Sequence, residues 1–177
     1  ICDDIKPIRA RYKFIVQIIA ACIVVFYGNI YLPNISALGL SIEFGKFGYP
    51  LAIFFIISII NAINLIDGLD GLSSGISIIV LCVIGFIAYQ MRRIDAAIVA
   101  LIMVGSIAGV LPYNFHPASI FVGDCGALFM GYMIACLSLL GFKSTAFWYS
   151  PLSKESKLKL LIASASQIRK VFTILLL

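Results

Sequence analysis

The chain reads as an all-α, polytopic transmembrane bundle of about five spans, and three observations predict it. Of its 177 residues, 62% are hydrophobic and only 12% charged, and the mean hydropathy is +1.11, which sets it apart from soluble domains. Five apolar stretches, at 14–32, 47–66, 73–91, 96–113 and 125–142, match the ~20 residues a helix needs to cross a ~30 Å hydrocarbon core. None has the strict alternation of a barrel strand, and a helix satisfies its own backbone groups in lipid.

Taken in order, the chain opens on Asp3-Asp4, followed by Lys6, Arg9, Arg11 and Lys13. This basic cluster suits an anionic-lipid contact or a phosphate-binding patch, and the two are compatible. The net charge is +5, but no long basic helix or aromatic platform accompanies it, so nucleic acid is not the expected partner. The segment 33–46, with Gly39 and Gly45, reads as a short connection, and Arg92-Arg93-Ile94-Asp95 as a tight turn. Five cysteines without ligand spacing imply packing residues, not a disulfide framework. Residues 1–143 form the transmembrane core. Residues 144–177 are an atypical polar and amphipathic tail, interrupted at Gln167, Arg169 and Lys170, which suggests an interfacial helix or a segment that has lost its proper partner. With an isoleucine first and an acid pair third and fourth, the sequence is expected to be an internal piece of a longer protein.

The acids carry the functional signal. Five of the eight carboxylates sit in three clusters: Asp3-Asp4, Asp67 and Asp70 in the run 61–71, and Asp124. Ionisable groups are costly at bilayer depth, so those kept at span ends mark a site. Two spans separate the first cluster from the second and two more separate the second from the third. An even number of crossings returns the chain to its starting side, so all three clusters are expected on one face. Counting Lys and Arg leaves the side of the membrane undecided.

Asn61 and Asn64 are three apart, hence neighbours on the last turns of a helix, and Gly68 and Gly71 then release Asp67 and Asp70 onto a loop. Amide and carboxylate oxygens are what Mg²⁺ accepts, usually from one or two protein groups plus water and phosphate. Gly123-Asp124-Cys125-Gly126 places a carboxylate between glycines where a helix opens, an end that favours phosphate.

These residues also carry a resemblance. Asn-x-x-Asn-x-x-Asp-Gly-x-Asp-Gly-Leu at 61–72, Pro117-Ala118-Ser119-Ile120-Phe121-Val122-Gly123-Asp124-Cys125-Gly126, and the preceding Asp3-Asp4 resemble the polyprenyl-phosphate N-acetylhexosamine-1-phosphate transferases. Phe47-Gly48-Tyr49-Pro50 and Asn114-Phe115-His116-Pro117 are most similar to the bacterial branch that places GlcNAc-1-phosphate on undecaprenyl phosphate to start teichoic acid or related cell-wall glycans. The likeness covers residues 1 to about 143.

The resemblance implies a Mg²⁺-dependent transferase, with Mn²⁺ as a substitute, whose partners are UDP-GlcNAc, undecaprenyl phosphate and membrane lipids. It implies a multi-pass protein of the cell membrane with its active face in the cytoplasm, and leaves a homodimer open. Asp124 and Asn64 take the place of the metal ligands. Asp3 and Asp4 match the catalytic acid pair near the attacking lipid phosphate. Asn61, Asp67 and Asp70 match substrate-binding positions, Phe121 the residue that stacks on uracil, and Lys13 the phosphate-binding lysine. The family continues to a later histidine-rich loop. The one histidine here, His116, lies in a different motif and reads as a loop contact.

Three alternatives accompany this reading. The MurNAc-pentapeptide branch shares the frame. An inactive truncated fragment would account for the missing histidine loop. A cation transporter module would need acids facing one another at mid-bilayer, whereas these sit at span ends.

Overall fold

The computed structural model describes residues 10–32, 34–37 and 40–148. Five helices in it are long and apolar enough to cross a membrane: Ala10–Tyr27, Gly45–Ile66, Leu72–Gln90, Ile94–Asn114 and Gly123–Gly141. The polytopic helical class predicted from composition and span length therefore holds.

Helix α1, Ala10–Cys22, runs on through a π-helical turn, Ile23–Tyr27. This span differs from the expected 14–32. The apolar run continues through Ile30 and Leu32, but the helix stops at Gly28, whose N–H closes on Val24, and Asn29 turns left-handed at φ 48°. The span therefore starts earlier and takes in Lys13.

The connection 33–46 holds a feature that span counting missed. Strands β1, Asn34–Ala37, and β2, Leu40–Glu43, pair antiparallel with Ile35 opposite Ile42 and Ser36 opposite Ser41. Polar and apolar residues alternate on both sides of Leu38-Gly39, the period-two signature of a hairpin. Among the described residues, the helical bundle thus carries one two-stranded antiparallel pair.

Helix α2, Gly48–Ile66, follows a 3₁₀ turn at Gly45–Phe47. It ends where the Asp67 N–H bonds back to Ile63 and Asn64. Gly71, left-handed at φ 70°, starts α3, Leu72–Gln90, and the Arg92 turn (φ 59°) leads into α4, Ile94–Asn114. Helix α5, Gly123–Trp148, opens on Gly123 at φ 68°. It continues five residues past the 143 boundary read from composition. The expectation of an interfacial helix falls largely on 149–177, outside the described residues.

Helix α5 is the enclosed centre of the bundle, with 56% of its span buried against 22–33% for the others. It packs along α2 and α3 and touches α4, while α3 and α4 pair closely and α1 lies on α2. Contact between α2 and α5 is backbone-close: a Cβ on Gly131 would come within 2.8 Å of Ile60 Cα. Only a glycine permits that approach, and the approach brings the end of α2 to the start of α5. Large apolar side chains such as Phe54, Phe86 and Leu101 face outward, as helices in lipid require.

Candidate active site

At one end of the bundle the start of α1, the end of α2 and the start of α5 converge. The Lys13 ammonium donates to Oδ2 of Asp124 and forms an ion pair with it. The side-chain amide of Asn64 donates to the other oxygen, Oδ1, at 3.1 Å. Asp124 lies in the first turn of α5, where the helix dipole favours a negative charge. Two residues from distant stretches thus share the half-exposed carboxylate of a third.

The second cluster surrounds this point. Asp67, at the end of α2, accepts the Ser73 hydroxyl from the first turn of α3. Burial raises the Asp67 carboxyl above its ordinary value, the Ser73 hydrogen bond pulls it down, and the nearby charge of Asp124 raises it further. Asp70 reaches across to the α4–α5 loop, accepting the Ala118 N–H at 3.3 Å and lying 3.1 Å from His116 Nδ1. His116 is therefore a loop contact, as its motif suggested.

That loop is held from beneath. Asn114, 3% exposed, accepts the Ser74 hydroxyl at 2.9 Å and donates to the Ile120 carbonyl at 3.1 Å. The N–H groups of Ser119 and Ile120 both bond the Tyr113 carbonyl. Phe121, at the loop's end, keeps its ring exposed. Asn61 lies one turn back along α2 from Asn64 and donates to Gln17 of α1 at 2.9 Å.

The structure thus brings Lys13, Asn64 and Asp124 into contact, sets Asp67 close enough for its carboxyl to sense Asp124, and ties Asp70 to the same loop. Asp3 and Asp4 lie outside the described residues. Gln17, Ser73, Ser74 and Asn114 carry the supporting hydrogen bonds, and none was singled out for a role from sequence. Two of them had a usable signal: Gln17 is a polar residue one turn from Lys13 within an apolar stretch, and Asn114 opens the Asn-Phe-His-Pro motif.

No three His, Cys, Asp or Glu side chains cluster as a metal cage among the described residues. Mg²⁺ does not need one, since it keeps waters and takes substrate phosphates with one or two protein oxygens. The donors here suit that mode: a carboxylate at Asp124, an amide oxygen at Asn64, and the neighbouring carboxylate of Asp67.

A membrane-embedded bundle with an acid-and-amide site at one end defines the class, and comparison with known proteins supplies the family. Residues 1–142 match the family described as Glycosyl transferase family 4, and the chain belongs to it. It is 41% identical over 151 residues to the "Probable undecaprenyl-phosphate N-acetylglucosaminyl 1-phosphate transferase" of Bacillus subtilis (strain 168), covering 85% of this chain. It is 35% identical over 137 residues to the "Phospho-N-acetylmuramoyl-pentapeptide-transferase" of Listeria monocytogenes serovar 1/2a, and 33% over 135 residues to that of Enterococcus hirae, each covering 75% of this chain. The chain spans 42% of the length of each of these relatives.

Proposed function

We propose that the full-length protein transfers GlcNAc-1-phosphate from UDP-GlcNAc to undecaprenyl phosphate, as a first membrane step of cell-wall glycopolymer synthesis. The observation that carries this reading is the convergence of Lys13, Asn64 and Asp124 at one end of the bundle. A cation, an amide and a carboxylate in contact form a site for a phosphorylated substrate. The similarity to the Bacillus relative supports the choice of GlcNAc within the family.

In this reaction an oxygen of the lipid phosphate attacks the sugar-bearing phosphorus of UDP-GlcNAc. The bond from that phosphorus to the bridging oxygen breaks, and UMP leaves with the electron pair. The sugar–phosphate bond survives. Lys13 neutralises charge on the phosphates, Asp3 and Asp4 orient the nucleophile or take its proton, and Asn61, Asp67 and Asp70 line the substrate pocket with Phe121 against the uracil. Asp124 and Asn64 would hold Mg²⁺ or Mn²⁺, which when bound supplies positive charge to the diphosphate. Positioning and charge neutralisation are the main work, as in other phosphoryl transfers. The active face is assigned to the cytoplasm.

UDP-GlcNAc labelled on the sugar-linked phosphorus tests the reading in the full-length protein. Label recovered in the lipid, with UMP released, supports it. Label remaining with the nucleotide would mean plain glycosyl transfer and overturn it. The similarity to the two pentapeptide transferases favours a second reading, in which UDP-MurNAc-pentapeptide is the donor. Offering both donors separates the branches.

A further inference from the structure

We infer that Gln17 is a second phosphate-binding residue of this site, one helical turn deeper than Lys13, facing the phosphate of the membrane-anchored acceptor. The inference rests on the reaction proposed above and concerns a residue that no expectation assigned.

Gln17 is 8% exposed and lies within the span Ala10–Tyr27. A primary amide buried at that depth is costly unless its hydrogen bonds are met. Its partner fixes which way it points. Asn61 Nδ2 lies 2.8 Å from the Ile57 carbonyl and 2.9 Å from Gln17 Oε1. A backbone carbonyl only accepts, so Asn61 must present its NH₂ group there. That NH₂ then requires an acceptor from Gln17. The Gln17 carbonyl is thereby committed to Asn61, and its own NH₂ is turned away. Asn61 bonded the other way round would set two oxygens against each other at Ile57. Its one hydrogen bond to a described residue is the one its carbonyl accepts, and the NH₂ is not among the enclosed polar atoms left without a partner, so it remains reachable from outside the bundle.

Lys13 is four residues earlier on α1, on the same face and about 6 Å nearer the Asp124 end. The two side chains line one face of α1, the Lys13 ammonium, paired with Asp124, at the mouth and the amide NH₂ below it. Phosphate monoester oxygens are acceptors, and a phosphate tethered to an apolar chain arrives from the bilayer side. A nucleotide arrives from water and meets the loop acids first. The deeper donor therefore suits the lipid phosphate and not the sugar nucleotide.

Gln17→Glu keeps a carboxyl oxygen to accept from Asn61 and replaces the NH₂ with a second acceptor, which a phosphate oxygen cannot bond. Gln17→Met removes both bonds at similar length. In the full-length protein reconstituted in nanodiscs, the KM for undecaprenyl phosphate should rise about 10- to 100-fold in both variants, the range expected for a hydrogen bond to a charged group. In Gln17→Glu, which keeps the bond to Asn61, the KM for UDP-GlcNAc should stay within about twofold. Direct binding of undecaprenyl phosphate without nucleotide should weaken in parallel, and this readout stands even if the labelled-phosphorus assay fails. A lipid KM and binding unchanged in Gln17→Glu would overturn the inference. So would equal rises in both KM values, which would reduce Gln17 to a brace for Asn61. Inorganic phosphate that binds wild type as tightly as the lipid would show a soluble anion site instead.

Discussion

Lys13, in the first span, is ion-paired with Asp124, 111 residues further along the chain, at the start of the fifth. Asn64 holds the other oxygen of the same carboxylate. Every crossing between these residues must be in place for the three to meet, so the contact reports both the topology and the chemistry.

Asp124→Asn should reduce transfer in the full-length protein by at least about 100-fold and weaken its Mg²⁺ dependence. Even indirect partners of a metal site are worth 10- to 100-fold, and on the proposed assignment this substitution removes a charged ligand. Initial rates against Mg²⁺ concentration would check it, and wild-type rates would remove Asp124 from the metal site.

Leu69, Ser119, Lys46 and Arg92 are exposed and lie in connections between spans. In a cysteine-free background, cysteines at Leu69 and Ser119 should react with an impermeant reagent from one face, and cysteines at Lys46 and Arg92 from the other. Labelling of Leu69 and Ser119 from opposite sides contradicts the common site.

Asp67 gives a pH-dependent stability test. Its carboxyl is raised above 3.8, first by burial, so folding favours the protonated form. That stabilisation is fully present below the ordinary value and lost as pH rises through the raised one. Asp67→Asn keeps an acceptor for Ser73 and carries no charge. Its Tm should equal or exceed wild type at neutral pH, with the difference vanishing in acid. A lower Tm at neutral pH would mean that the charge itself is stabilising.

Asn114→Ala should destabilise the protein by about 1–3 kcal/mol, because the buried Ser74 hydroxyl and the Ile120 carbonyl lose their partner. Thermal unfolding in detergent measures this, and an unchanged Tm would show that the loop is held elsewhere.

Gly131→Ala should cost about 1–3 kcal/mol through overpacking. The added Cβ meets backbone, Ile60 Cα at 2.8 Å, and pushes α2 from α5. Transfer should fall along with stability, since Asn64 and Asp124 sit on those two helices. A loss of Tm with full activity would uncouple the helix contact from the site.

The sequence by itself determined the class, the five stretches long and apolar enough to cross a membrane, and the helix ends at which Asp67, Asp70 and Asp124 lie. These are local properties, since an apolar run of sufficient length must be helical in lipid and a carboxylate must stay near water. The Asn and Asp run at 61–70 and Asp124 were legible for the same reason. Local pattern was a poorer guide where apolar residues continued past a helix end, as at Gly28–Leu32, and where the short 33–46 connection hid its period-two alternation. Tertiary structure alone decided which side chains meet. The pairing of Lys13 with Asp124, the two hydrogen bonds of Asn114 and the orientation of Gln17 all depend on how closely helices distant in sequence approach. That approach is set by packing at points such as Gly131 against Ile60, which no spacing along the chain encodes.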